Sequence, residues 1–320
     1  MLLKCGSVLL MVLLMSVSAQ AQSASVGLLR LWMSEEVAVE VSGHALFQSQ
    51  GDSEGTAFDT RLSQFRSLGR ARLDQPDLFT PSVGYSYYHI GIDSNDPLLP
   101  SNLQDMNVAV GFKHALDETW KVQLAVGAGY AGNGPFQDSE AIYGTADVML
   151  TREFDDTTGI TFGLDYNGAR TLLPDLPIPI ITYYNQSDPN FHYYLGVPLS
   201  SITWTPFEAL TLRIRYELPI NVALEARYTL ADTLQIFGQL DSYTSRFWSS
   251  DSGVNQHLLF HQRRAELGLQ WHPVPWGEVI LAGGWAFDQR FDTGFDLRST
   301  TNVRDISDQP FVRIGAQFAF

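Results

Sequence analysis

Residues Leu210 to Leu230 read LTLRIRYELPINVALEARYTL. The even positions are Leu210, Leu212, Ile214, Tyr216, Leu218, Ile220, Val222, Leu224, Ala226, Tyr228 and Leu230, with no polar group except tyrosine hydroxyls. The odd positions are Thr211, Arg213, Arg215, Glu217, Pro219, Asn221, Ala223, Glu225, Arg227 and Thr229. Side chains alternate across an extended backbone, so one face is greasy and the other charged.

The same period runs through the chain. Trp120, Val122, Leu124, Val126, Ala128 and Tyr130 oppose Lys121, Gln123, Ala125, Gly127, Gly129 and Ala131. Ile160, Phe162, Leu164 and Tyr166 oppose Thr161, Gly163, Asp165 and Asn167, and a shorter copy starts at Val37. A soluble sandwich also alternates, but its strands usually have about five or six residues. Most runs here have nine to fifteen, which suits a tilted strand crossing a bilayer in about 9–11 residues. The reading is all-β: a transmembrane antiparallel up-and-down β-barrel.

Composition agrees. Of 320 residues 45% are apolar, 12% aromatic and 17% charged, too apolar for disorder. The net charge of −15 argues against a large nucleic-acid surface. Past the first residues there is no run of about 18 apolar residues, so helical spans are not expected.

Short connections at Asp74–Asp77, Asp117–Thr119, Asp155–Thr157, Gln186–Asn190, Ala231–Thr233 and His272–Trp276 alternate with longer or more polar ones at 49–59, 93–103, 132–138, 172–177, 249–255 and 292–306. Barrels of this kind keep short turns at the periplasmic rim and long loops outside. Trp120, Trp271 and Trp276 lie beside short turns, where an interfacial belt would form. Reading 191–206 and 209–230 as single strands gives about 14 strands, with 12 or 16 as alternatives. Sixteen requires folding back at Pro219-Ile220-Asn221 and at Ser200-Ser201, where apolar parity shifts from odd to even.

Residues 1–21 have the form of an export signal: Lys4, an apolar stretch from Val8 to Met15, then Ser16 to Ala21 with cleavage expected after Ala21. Residues 22–35 then form a periplasmic segment and 36–320 the barrel. Cys5, the only cysteine, leaves with the signal, so the mature chain has no disulfide, thiol nucleophile or thiolate metal site.

The chain ends Arg313-Ile314-Gly315-Ala316-Gln317-Phe318-Ala319-Phe320. This resembles the terminal assembly signal of bacterial outer-membrane proteins, carried by Arg313, Gly315, Phe318 and Phe320. The resemblance implies recognition by the outer-membrane insertion machinery. With the alternation of 36–320 it implies a Gram-negative-type outer-membrane β-barrel of the porin-like or transporter-like kind, in contact with outer-membrane lipid and lipopolysaccharide.

Turning the polar parity inward lines a lumen with Arg66, Arg70, Arg72, Lys113, Lys121, Arg213, Arg215, Arg227, Arg264, Arg290 and Arg313, against Glu40, Asp147, Asp165, Glu217, Glu225, Asp241, Glu266, Glu278 and Asp288. That is eleven bases against nine acids. Paired across strands, these groups fill a narrow barrel; left solvated, they bias a pore towards anions.

Other chemistries find weak support. Gly127-Ala128-Gly129-Tyr130-Ala131-Gly132 matches the dinucleotide pattern letter by letter, but Asn133-Gly134-Pro135 follows where a helix would have to start. His257 and His261 share a strand face without a nucleophile at compelling spacing. Asp288, Asp292, Asp296, Asp93 and Asp96 read as solvated loop charge in preference to a cation site. No cofactor, metal or catalytic residue is expected. Passive or facilitated passage of small solutes is the first expectation, ahead of a closed structural or adhesive barrel acting through its loops, with a membrane-embedded hydrolase third.

Overall fold

The computed structural model describes residues 38–53, 58–73, 80–218, 220–250 and 256–320. The expected signal, the segment 22–35, the turn at 74–77 and much of the 249–255 connection lie outside them. In chain order the strands are β1 (Val39–Asp52), β2 (Asp59–Arg72), β3 (Thr80–Ser94), β4 (Asn102–Ala115), β5 (Trp120–Gly132), β6 (Ile142–Glu153), β7 (Thr158–Asn167), β8 (Ile178–Asp188), β9 (Phe191–Val197), β10 (Leu199–Phe207), β11 (Leu210–Glu217), β12 (Asn221–Ala231), β13 (Leu234–Ser249), β14 (Gln256–Val274), β15 (Gly277–Gly294), β16 (Thr300–Ile306) and β17 (Gln309–Ala319).

Consecutive strands from β1 to β16 pair antiparallel, and β1 closes on β17 in a continuous register from Glu40↔Ala319 to Gln48↔Phe311. Because β16 and β17 pair with the upper and lower parts of β15, they share one position in the ring. Among the described residues, seventeen strands therefore make a closed barrel of sixteen positions. This corrects the expected 14. Both suspect stretches fold back: 209–230 turns at 218–220, as the alternative reading had it, whereas 191–206 turns at Pro198 and leaves Ser200 and Ser201 inside β10. A proline lacks the N–H that a ladder needs, and one of the two turns falls at Pro198.

Alternation decides which way each face points. On β12, Ala223 and Arg227 are buried while Val222, Leu224, Tyr228 and Leu230 are exposed. The outer surface collects large apolar side chains from around the ring, among them Val108, Val148, Leu267, Leu281 and Ile314. So large an apolar exterior costs too much in water and suits hydrocarbon.

Connections of two to four residues at 116–119, 154–157, 189–190, 208–209, 232–233 and 275–276 share one rim with the chain end. Two carry a repeated device. Asp117 Oδ1 accepts from Thr119 N and Trp120 N at 2.7 and 2.8 Å, and Asp155 Oδ1 accepts from Thr157 N and Thr158 N at 2.8 Å each. Such Asx turns satisfy backbone donors where the ladder stops. Trp204, Trp271 and Trp276 are exposed near this rim, and Trp276 stacks on Phe320 with centroids 5.2 Å apart.

Wall height is uneven. β13, β14 and β15 have 16, 19 and 18 residues, whereas β9, β10 and β11 have 7, 9 and 8. The short side ends at the turns 198 and 218–220, so the tall side stands well above it. This difference shapes the lumen.

Candidate functional site

β13 pairs with β12 only as far as Ser242↔Val222, yet with β14 up to Ser249↔Gln256. Freed of β12, its upper end crosses the lumen, and Trp248 bridges to Gly132 on β5, half-way round the ring. Above Ser242, then, nine strands from β13 through β16 and β1 to β5 enclose a smaller space. That space is filled by Leu62, Tyr88, Ile90, Leu103, Tyr243, Phe247, Phe260, Phe291 and Ile306, all 3% exposed or less. Such packing is that of a protein interior.

Polar side chains floor this cluster. Gln48, Gln289, Gln262, Tyr243, Gln64 and Tyr88 form one hydrogen-bonded chain: Gln48 Nε2 donates to Gln289 Oε1 at 3.0 Å, Gln262 Nε2 to Gln289 Oε1 at 2.6 Å, and the Tyr243 hydroxyl to Gln64 Oε1 at 2.6 Å. The Arg66 guanidinium lies between the Tyr88 and Tyr243 rings, 4.2 and 4.3 Å from their centroids. Beneath it, Arg264 donates to both oxygens of Asp241 at 2.9 and 2.5 Å, and Arg313 to both oxygens of Glu266 at 3.0 and 2.5 Å. Arg70 Nε donates to Glu40 Oε2 at 2.9 Å. Close pairing of this kind offsets part of the desolvation that buried charges suffer.

The other half of the lumen, walled by β6 to β12, is lined mainly by polar side chains. Its inward Thr182, Tyr184, His192, Tyr194, Ser201 and Arg213 are only half-buried. Asp147 and Asp165 face each other across β6 and β7, while Arg213, Arg215 and Glu217 stand on β11 and Glu225 and Arg227 on β12. Arg227 Nε and Glu225 Oε1 are 2.8 Å apart. Near the turn rim Arg72 and Lys113 are half-buried, and Lys121 Nζ meets Glu153 Oε1 at 2.5 Å. The expected lumen residues thus divide: Arg66, Arg70, Arg264, Arg313, Glu40, Asp241 and Glu266 lie in the packed half, Arg72, Lys113 and Lys121 near the turn rim, and Asp147, Asp165, Arg213, Arg215, Glu217, Glu225 and Arg227 on the walls of the lane.

Two expected members face outward. Asp288 adopts φ 48° and the β14–β15 register slips between His261 and Arg263, so parity inverts: Ala286 points in, then Gln289 and Phe291 do. Asp288 and Arg290 end half-exposed, paired with each other at 3.2 Å, and Arg263 joins Asp288 at 3.2 Å. Asp288 and Asp292 also lie in β15 instead of a loop. One residue in a bulge flips every side chain beyond it.

Sequence reading missed two residues that shape the mouth. Arg170, in the 168–177 connection, pairs with Asp165. Arg246 on β13 donates to Gly168 O at 3.0 Å and Phe295 O at 2.8 Å. Their signal is faint: Arg246 sits on what alternation calls the outward face, and only the inward lean of β13 buries it. The suspected histidines are held in place. His261 has Thr244 Oγ1 at 3.0 Å and Asp292 Oδ2 at 3.1 Å, all three buried, and His257 Nδ1 lies 3.1 Å from Arg246. No group of three potential metal ligands occurs among the described residues. Gly127 to Gly132 belong to β5, so the dinucleotide-like letters sit on a strand.

Solved structures with a similar fold include a deletion mutant of the TodX monoaromatic hydrocarbon channel, at 8% identity over 91% of this chain and 92% of that one, TM-score 0.43. Others are an outer-membrane channel from Pseudomonas putida F1, at 9% identity over 95% and 100%, TM-score 0.38, and a Pseudomonas aeruginosa FadL homologue, at 8% over 89% and 90%, TM-score 0.39. No protein-family model and no curated protein matches the sequence. Likeness this distant transfers neither solute nor mechanism.

Proposed function

We propose that the chain is a bacterial outer-membrane β-barrel that passes small polar solutes along the lane walled by β6 to β12. The observation that carries this is the division of the lumen: the inward lean of β13 confines an apolar core to one half and leaves the other lined by polar and charged groups, Asp147, Asp165, Arg215 and Arg227 buried and Thr182, Tyr184, His192, Tyr194, Ser201 and Arg213 half-buried. Export by residues 1–21, assembly guided by Arg313, Gly315, Phe318 and Phe320, and contact with outer-membrane lipid and lipopolysaccharide belong to the same proposal. In it the turn rim faces the periplasm and the tall strands project outward. No chemical step is assigned.

In the lane Arg170, Arg213, Arg215 and Arg227 stand against Asp147, Asp165, Glu217 and Glu225, four of each sign. Balanced charge on facing walls favours solutes that are small and dipolar over simple ions of either sign. A second reading, a closed barrel acting through its loops, is favoured by the 168–177 connection, which lies over the mouth bonded to 295–299. Planar-bilayer recording in a salt gradient separates them. Discrete steps with a small reversal potential support passage; a correctly folded barrel that gives no steps supports the closed form, and a reversal potential near the cation limit contradicts the lane described here.

A further inference from the structure

The segment Gly168 to Pro177 joins β7 to β8, yet its bonds reach the opposite side of the ring. Leu297 N donates to Thr171 O at 2.9 Å, and Leu173 N donates to Asp296 Oδ2 at 3.2 Å. Arg246 holds Gly168 O and Phe295 O together, as described. Ala169 rests against the dry cluster, and Thr171 is buried.

From this bridge the Arg170 side chain enters the lane. It pairs with the Asp165 carboxylate, its Nη2 donates to Asp165 O at 3.1 Å and its Nη1 to Leu176 O at 3.2 Å. Asp147 and Glu217 also act on its charge. These three carboxylates stand on β6, β7 and β11, so the guanidinium, held at Asp165, carries its charge into a lane with acidic groups on both sides.

The bridge is held by polar contacts at a cost. Leu173 has φ 53°, a left-handed conformation unfavourable to a branched side chain, with its N–H held by Asp296. Asp296 is in turn held by Arg298, Nη2 to Oδ2 2.6 Å. Strain of this kind persists only where surrounding bonds hold it, so the segment's position depends on them.

We propose that residues 168–177 are an autoinhibitory lid: Arg170 blocks the lane, and Asp296 with Arg246 keeps the lid down. This rests on the passage reading, and the test separates the two. In the full chain carrying Cys5→Ser, the pair Thr171→Cys and Leu297→Cys locks the lid by a disulfide, while Asp296→Asn, or the milder surface change Arg298→Gln, releases it. Two readouts are taken: bilayer conductance, and the rate at which a maleimide labels Thr145→Cys, a buried lane position where the segment begins, in the unlocked forms. Release is expected to raise labelling about tenfold and conductance several-fold, and oxidation of the lock to abolish conductance until a reductant is added. Labelling that responds to release when no form conducts upholds the lid and refutes passage. Conductance and labelling unchanged by lock and release overturn the lid and leave passage standing.

Discussion

Phe247 is fully buried at the point where β13 has left β12, packed on Tyr88 with ring centroids 6.2 Å apart. Replacing it with alanine removes a whole aromatic side chain from a dry cluster whose walls are strands and cannot collapse freely. Buried Phe→Ala changes cost about 3–5 kcal/mol, transfer and cavity together. At roughly 1.4 kcal/mol per tenfold, the folding equilibrium falls by at least about a hundredfold. The control is Leu267→Ala, whose side chain is 61% exposed on the outer belt. Lipid chains fill the space it leaves, so no cavity forms and the loss is expected to be less than half as large. Urea unfolding in lipid vesicles, followed by tryptophan fluorescence, gives both numbers. Equal losses at the two positions, or less than about 1 kcal/mol at Phe247, refute a sealed upper core.

Asp241→Asn leaves Arg264 buried with half its partner and should cost about 3–5 kcal/mol, whereas Asp241→Leu with Arg264→Met should recover most of it; the same unfolding assay decides. Deleting Phe320 should lower the yield of inserted barrel in cells several-fold while leaving the β-structure of refolded protein intact by circular dichroism. The Asp155 carboxyl in the β6–β7 turn is held at about 2 by the Thr158 and Thr157 hydroxyls and the Thr157 N–H. Its folded value is depressed, so its contribution is complete above about pH 4 and disappears as pH falls towards 2. Amide exchange at Thr157 and Thr158, corrected for intrinsic rates, should therefore lose protection over that window, and Asp155→Asn should show no such step.

Much of the barrel was legible because period two is a local property. Along β12 each residue's face follows from its number alone, and Leu210 to Leu230 announced it. Strand count was harder. The run 209–230 keeps its apolar parity throughout, and periodicity cannot tell a long strand from a tight hairpin that preserves the face; in 191–206 the parity shift at Ser200-Ser201 lies just past the turn itself, at Pro198. The bulge at Asp288 defeated parity altogether: one residue at positive φ moved Arg290 and Asp288 to the outside and brought Gln289 and Phe291 in. The divided lumen was not legible. It depends on β13 parting from β12 at Ser242 and reaching Gly132, a contact between residues far apart in the chain with no mark in either segment. Arg170 and Arg246 acquire their roles only through that lean, so neither stood out among twenty basic residues.

The most direct test of the whole account is a nitroxide scan of residues 221–231 in lipid vesicles, reading collision with oxygen against collision with a water-soluble nickel chelate. Oxygen should dominate at Val222, Leu224, Ala226, Tyr228 and Leu230 and fall at the residues between them, a period of two across β12. A flat profile, or nickel dominating at those five positions, would mean that hydrocarbon does not surround the apolar face.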